Sequence, residues 1–198
     1  MLNTFLNQPK TISLKPSNNI ETERLILKPT SNDDAEFIYD LLNSPKWLKF
    51  IGDRNIKNLE DAVAYIEERI RPQQIRLGYS NYTVIRKKDG AKIGSCGLYD
   101  RPGIEGIDLG FAFLPDFEKQ GYGFEGANML LDAAINQFEL EQVSAITLKE
   151  NKASQKLLEK LGLKHIRNIV LPRDPDELML YQLNVDAEGI KNNAHGNQ

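Results

Sequence analysis

Apolar positions along the chain change period several times, and each change marks an element. Arg24 to Lys28 is a short apolar run that reads as a strand. From Thr30 or Ser31 the period lengthens. Phe37, Ile38, Leu41 and Leu42 fall on one helical face, Asp33 and Asp34 sit in the first turn, and Pro45 lies just past the end. Trp47 to Arg54 reads as a connection. Asn58 reads as the cap of a second helix, with Leu59, Ala62, Val63, Ile66 and Ile70 on its apolar face and Pro72 as its stop. Tyr82 to Arg86 and Lys92 to Leu98 are strand-like runs around an Asp89-Gly90 hairpin signal. Ile107 to Leu114 is the next strand, ended by Pro115. Phe124, Ala127, Leu130, Leu131, Ala134, Ile135 and Phe138 then recur at spacings of three and four, a helical core stripe starting near Gly121. Val143 to Leu148 is a strand, and Asn151 opens a short helix that Gly162 stops. His165 to Leu171 and Leu178 to Leu183 form a last β pair around 172–176.

The order β-α-α-β-β-β-α-β-α-β-β predicts an α/β (α+β) fold. Its sheet is mixed, mostly antiparallel and twisted, with about seven strands and helices on both faces. Residues 1–20, rich in Asn, Pro, Ser and Thr, read as an N-terminal arm. Residues 21–185 form one domain, and 186–198 a flexible polar tail.

Composition narrows the function by exclusion. A net charge of −3 gives no sign of a nucleic-acid binder. One cysteine, Cys96, excludes an internal disulfide, and with only two histidines a zinc site lacks its favoured ligands, so no metal is expected. No apolar run approaches the roughly 20 residues that span a bilayer, and residues 1–10 lack a basic segment followed by an apolar core. The expected setting is cytoplasmic, as a monomer or homodimer without membrane or nucleic-acid partners.

Gly121, Gly123 and Gly126 spell G-x-G-x-x-G at a helix start, where free backbone amides and the positive dipole end suit phosphates. A dinucleotide site would use this pattern, and Glu150 lies roughly where a ribose-binding acid belongs. Against it, the six residues Pro115 to Gln120 separate strand from glycine, and the upstream hairpin is antiparallel. The pyrophosphate of coenzyme A is the second candidate. Glycines serving only helix packing is the third.

Several segments carry a family resemblance. They are Thr22-Glu23-Arg24-Leu25, Asp108 to Pro115, Gln120 to Ala127, Glu150 to Ser154, and Glu159 to Leu163. Together they resemble the GNAT superfamily of acetyl-coenzyme-A-dependent N-acetyltransferases, in the branch similar to ribosomal-protein alanine N-acetyltransferases. The resemblance implies acetyl-CoA as co-substrate and a small-molecule or peptide amine as acceptor. It implies that Gln120, Gly121, Tyr122, Gly123 and Phe124 wrap the pyrophosphate. It implies that Phe111, Ala112 and Phe113 pair through their backbone with pantetheine and polarise the thioester. Asn151 resembles the residue that bonds the pantetheine arm; its plain reading is a helix cap. Ser154 resembles a hydroxyl near the coenzyme sulfur, with Tyr181 as the substitute acid. Asp108 matches an acidic position that serves as base in some relatives. Its plain reading is a strand-end carboxylate, and Glu105 or a water chain are the substitutes. Glu118 departs from the pattern, since Gln or Arg is usual there, and a carboxylate beside a pyrophosphate weakens binding unless it points away. Trp47, Asp53 and Arg54 are candidates to line the acceptor pocket. A non-catalytic acyl-CoA-binding module remains the alternative to an enzyme.

The chemistry sets the demand. An amine with pKa about 10.4 is neutral about once in 2,500 molecules at pH 7, so a base must take its proton. The thioester oxygen needs a donor as it gains charge.

Overall fold

The structure is a computed structural model and describes residues 19–172 and 176–185. The tail, residues 173–175 of the last turn and all of the arm before residue 19 lie outside the described residues. The strands are β1 (Ile20–Glu21), β2 (Leu25–Pro29), β3 (Asn81–Arg86), β4 (Lys92–Tyr99), β5 (Ile107–Phe113), β6 (Gln142–Leu148), β7 (Lys164–Val170) and β8 (Glu177–Asn184). The helices are α1 (Ala35–Leu42), α2 (Pro45–Phe50), α3 (Leu59–Tyr65), α4 (Arg71–Leu77), α5 (Tyr122–Asn136) and α6 (Lys152–Lys160). One eight-stranded sheet has the order β1-β2-β3-β4-β5-β6-β8-β7. Every neighbouring pair is antiparallel except β5 and β6.

Three local features depart from the sequence expectation. The added strand is β1, whose Ile20, expected in the arm, is buried and pairs with Leu27. Pro45 lies just past the end of α1, as expected, and also starts a helix of its own. Ser44 is extended and Pro45 stands in the first turn of α2, where its fixed φ suits a helix and its missing N–H costs nothing. Trp47 to Phe50 are therefore helical rather than a connection. Pro72 does not stop the second helix. A π-helical turn over Ile66–Ile70 joins α3 to α4 and places Pro72 in the first turn of α4. The wider turn absorbs a residue without an N–H to donate. The helix ends instead at Gly78, in the left-handed region. Asn58 caps α3 as expected, accepting from the Asp61 amide at 2.8 Å.

Alternation along the strands gives the sheet two unlike faces. Leu25, Leu27, Val84, Cys96, Leu98, Leu109, Val143, Ala145 and Tyr181 pack against α5 and α6 in one large apolar core. On the other face, α1, α3 and the π turn make their own cluster, with Ala112 and Leu114 against it. A smaller cluster of Ile169, Leu171, Leu178 and Leu180 takes in Ile104, Ile146 and Leu148. Between these two clusters the face is polar, and there Asp108 emerges.

Candidate functional site

The parallel pair is the irregular part of the sheet. β5 and β6 each have seven residues, yet only Ile107↔Val143 and Asp108↔Ser144 are in register. Beyond those pairs the strands part, so backbone groups of β5 that face β6 lose their ladder partners. Phe111, Ala112 and Phe113 lie along the open stretch.

The chain then makes a 3-10 turn over Pro115–Phe117 and enters the glycine loop. Lys119 has φ +57° and Gly121, at the head of α5, has φ +84°. Among the described residues, none of the amides from Lys119 to Phe124 finds an acceptor; the first to do so is Glu125, on the Gly121 carbonyl. The three glycines have different reasons. Gly121 supplies the left-handed turn. A Cβ on Gly123 would stand 3.3 Å from Leu157 of α6 and 3.6 Å from the Phe113 ring, and one on Gly126 would stand 3.3 Å from the Cys96 sulfur. Gly123 thus lets the start of α5, the end of β5 and α6 converge.

Thr22 to Leu25, quoted above only as a resembling segment, has a physical role here. Glu125 accepts from the Thr22 hydroxyl (2.5 Å), the Arg24 amide (2.9 Å) and Arg24 Nε (2.6 Å). Arg24 also reaches the Gln120 carbonyl at 3.1 Å and lies over the Tyr122 ring. Burial raises the Glu125 carboxyl, but Thr22 and Arg24 outweigh it and hold its pKa below the ordinary range. This glutamate fastens the loop to β2. Glu118 is ion-paired to Lys46 of α2. The lysine offsets the charge of this carboxylate.

At the other end of β5, Asp108 is 2% exposed, on the face opposite the large core. Arg101 Nε donates to its Oδ2 at 2.8 Å, while Oδ1 has no hydrogen-bond partner among the described residues. Burial raises the carboxyl's pKa. Arg101 and, more weakly, the Ile146 amide pull it back, and the net shift is upward. Tyr99, opposite Asp108 in register, lies flat on the same face. Its hydroxyl donates to Asn81 Oδ1 at 2.5 Å, and burial pushes its pKa up. Asn81 also accepts from Ser95 and donates to Thr30, which meets Thr83. Arg101, Tyr99 and Asn81 went unremarked in the sequence. Counting back along the β4–β5 hairpin from Asp108 would have paired it with Tyr99, but nothing in the pattern brings Arg101 back onto the carboxylate.

The remaining candidates sit as follows. Asn151 caps α6, its Oδ1 accepting from the Ser154 amide at 3.2 Å, so Ser154 stands in the first turn. Tyr181 is buried on the core face, its hydroxyl 3.4 Å from Glu159, and burial raises its pKa. Glu105 is exposed in the loop before β5, and only its carbonyl is engaged, by Ser144. Trp47 packs on the α1–α3 cluster with its indole nitrogen buried and unpartnered among the described residues. Asp53 accepts from the Asn55 amide in a tight turn, and Arg54 is exposed. No group of three His, Cys, Asp or Glu among the described residues is placed to hold a metal ion. No helix there is long and apolar enough to cross a membrane.

Comparison with known proteins bears on the family and the fold. A family model described as an acetyltransferase (GNAT) domain matches residues 24–164. An uncharacterised N-acetyltransferase of Bacillus subtilis (strain 168), YoaA, is 23% identical over 146 residues, covering 73% of this chain and 82% of that protein. The structure of a ribosomal-protein-S5-alanine acetyltransferase from Vibrio fischeri superposes with a TM-score of 0.72 at 14% identity, over 86% of this chain and 98% of its own. A ribosomal L7/L12 alpha-N-protein acetyltransferase, solved in complex with coenzyme A, superposes with a TM-score of 0.69 at 14% identity, over 86% and 99%.

Proposed function

This chain belongs to the GNAT acetyltransferase family and is an acyltransferase, and from that premise we propose that it transfers acetyl from acetyl-coenzyme A directly to a primary amine of a protein N-terminus or a small molecule. The observation that carries this reading is the split between β5 and β6, open between a loop of unpartnered amides and a buried carboxylate. From Phe113 to Asp108 the strand runs roughly 16 Å at its usual rise. A pantetheine arm, about a dozen bonds from phosphate to sulfur, reaches on the order of 15 Å at extended-chain spacing. Laid along the split, the arm brings a thioester from the glycine loop to the neighbourhood of Asp108.

The residues then take these parts. Amides of Gln120, Gly121, Tyr122, Gly123 and Phe124 hold the pyrophosphate at the head of α5. Backbone groups of Phe111 to Phe113 hold the arm, and an N–H there donates to the thioester oxygen as it gains charge. Asn151, its oxygen engaged in the cap, offers its amide nitrogen to the arm. Asp108 takes the proton of the acceptor ammonium. The amine lone pair attacks the carbonyl carbon, the carbon–sulfur bond breaks, and the second nitrogen proton passes through the Ser154 hydroxyl, with Tyr181 as substitute, to the leaving thiolate. No metal enters any step.

A binding module without chemistry would share the loop and the split but has no use for the buried Asp108. A dinucleotide site lacks support because the sheet has a single parallel pair. Thermal unfolding with ligand separates these. Millimolar coenzyme A should raise the melting temperature by mass action, and NAD should not. The reverse pattern would return the glycine loop to the dinucleotide class.

A further inference from the structure

The face that carries Asp108 already holds a cation. The Arg101 guanidinium sits 2.8 Å from Asp108 Oδ2 through Nε, and its central carbon is 5.9 Å from the centre of the Tyr99 ring. A carboxylate and an aromatic face are also the groups that bind an alkylammonium. The ring is a fixed platform. A Cβ on Gly97 would fall 2.2 Å from the Tyr99 hydroxyl oxygen and one on Gly110 would fall 2.9 Å from its ring, so two glycines clear the sheet beneath it. Asn81 ties down the hydroxyl. Asp108 is equally fixed on its strand, and its second oxygen is unpartnered among the described residues. Arg101 differs: it hangs from the loop between β4 and β5, with its side chain 35% exposed. Of the three charged or aromatic groups, the cation is the one carried by a loop rather than a strand.

We propose that Arg101 occupies the acceptor's ammonium position and that an acceptor binds by exchange with it. The incoming ammonium takes Asp108 and the Tyr99 face, and the freed guanidinium pairs with an anionic group on the same acceptor. The site therefore selects amines that carry a carboxylate a few bonds from the nitrogen. A polyamine would bring more positive charge beside the displaced arginine. A carboxylate instead offers Arg101 a two-pronged pair in place of the single hydrogen bond it gave up. Arg101 acts here as a specificity-determining residue. The inference rests on the acetyl-transfer reading and deepens it.

The test compares kcat/KM for amino acids, their α-carboxamides and the decarboxylated amines, in the wild-type chain and in Arg101→Gln and Arg101→Lys. A charged hydrogen bond of ordinary strength predicts a preference of about tenfold or more for the carboxylate-bearing acceptors, expressed mainly in KM. In Arg101→Gln that preference should collapse, KM for the plain amines should fall because Asp108 is vacant, and Arg101→Lys should restore part of the selectivity. Equal kcat/KM across the wild-type series would overturn the proposal without need of any variant. A preference that survives Arg101→Gln would overturn it too. Plain amines that react without any carboxylate preference remove the exchange alone; silence with every amine removes the acetyl-transfer reading and the exchange with it.

Discussion

Arg101 and Asp108 form an ion pair across the loop joining β4 to β5, with 2.8 Å between Nε and Oδ2 and the carboxylate side chain 2% exposed. Burial lifts the carboxyl's pKa and the arginine reverses only part of the rise. A carboxylate raised in this way is a stronger base than one in water. Asp108→Asn should therefore lower turnover about 10²–10⁴-fold, the usual span for a positioned base, with little change in coenzyme affinity. The acidic limb of the pH–rate profile should vanish with it. Wild-type turnover in this variant at neutral pH would transfer the role to Glu105 or to water. The same shift carries a stability signature. A folded-state pKa above the unfolded one means Asp108 costs stability at neutral pH and returns it as pH falls towards the raised value.

Asp34 shows the opposite sign. Its carboxylate is wholly buried between Lys28 (3.0 Å) and Lys92 (2.7 Å), and the Ser31 amide donates to it. Burial pushes its pKa up, yet Lys92, Ser31 and Lys28 together hold it below the ordinary value. Its contribution is present above the unfolded pKa, near 3.8, and is lost as pH falls through the lowered folded value. Asp34→Asn should cost roughly 2–3 kcal/mol at pH 7, less than a fully buried pair because both lysines are partly exposed. Denaturant melts at pH 7 and pH 3 check this. A cost that stays constant between those pH values would contradict the assignment.

The single thiol should be silent in the native state. Cys96 is fully buried against Gly126, and burial pushes its pKa up to about 12. Reaction with a disulfide reagent at pH 8 should give one equivalent only after unfolding. Fast labelling of the folded chain would show that this part of the core opens.

Two glycines with similar φ make a control pair. Gly121 has φ +84° in the glycine loop, and Gly90 has φ +73° with nothing within 4 Å of an added Cβ. Alanine at either should cost about 1–2 kcal/mol for the left-handed backbone. Arginine at Gly121 should also abolish the melting shift given by coenzyme A, and arginine at Gly90 should leave it intact. Equal coenzyme response in both arginine variants would remove the loop from binding.

Much of the fold was legible because each element carried its own signal. The stripe from Phe124 to Phe138, the Asp89-Gly90 turn and the Asn58 cap depend on local spacing. The short helix that Pro45 opens and the continuation of the second helix through Pro72 were not legible, since proline marks the first turn of a helix as readily as a position beyond its end. Only the π turn upstream decides for Pro72. The glycine loop could be read from Gly121, but its fastening through Thr22, Arg24 and Glu125 joins segments about a hundred residues apart. The Lys46–Glu118 pair and the return of Arg101 to Asp108 are likewise tertiary, and a single sequence gives no register for them.

The central claim is that an amine draws the acetyl group from the thioester. The most direct measurement is thiol release from acetyl-CoA, followed with and without each member of a panel of peptides, amino acids, polyamines and aminoglycosides. The account predicts release that rises with one class of added amine, saturates with it, and yields the acetylated amine in equal amount by mass. Release at one slow rate whatever amine is present, in protein that coenzyme A measurably stabilises, would contradict it and leave a module that binds the coenzyme without transferring its acyl group.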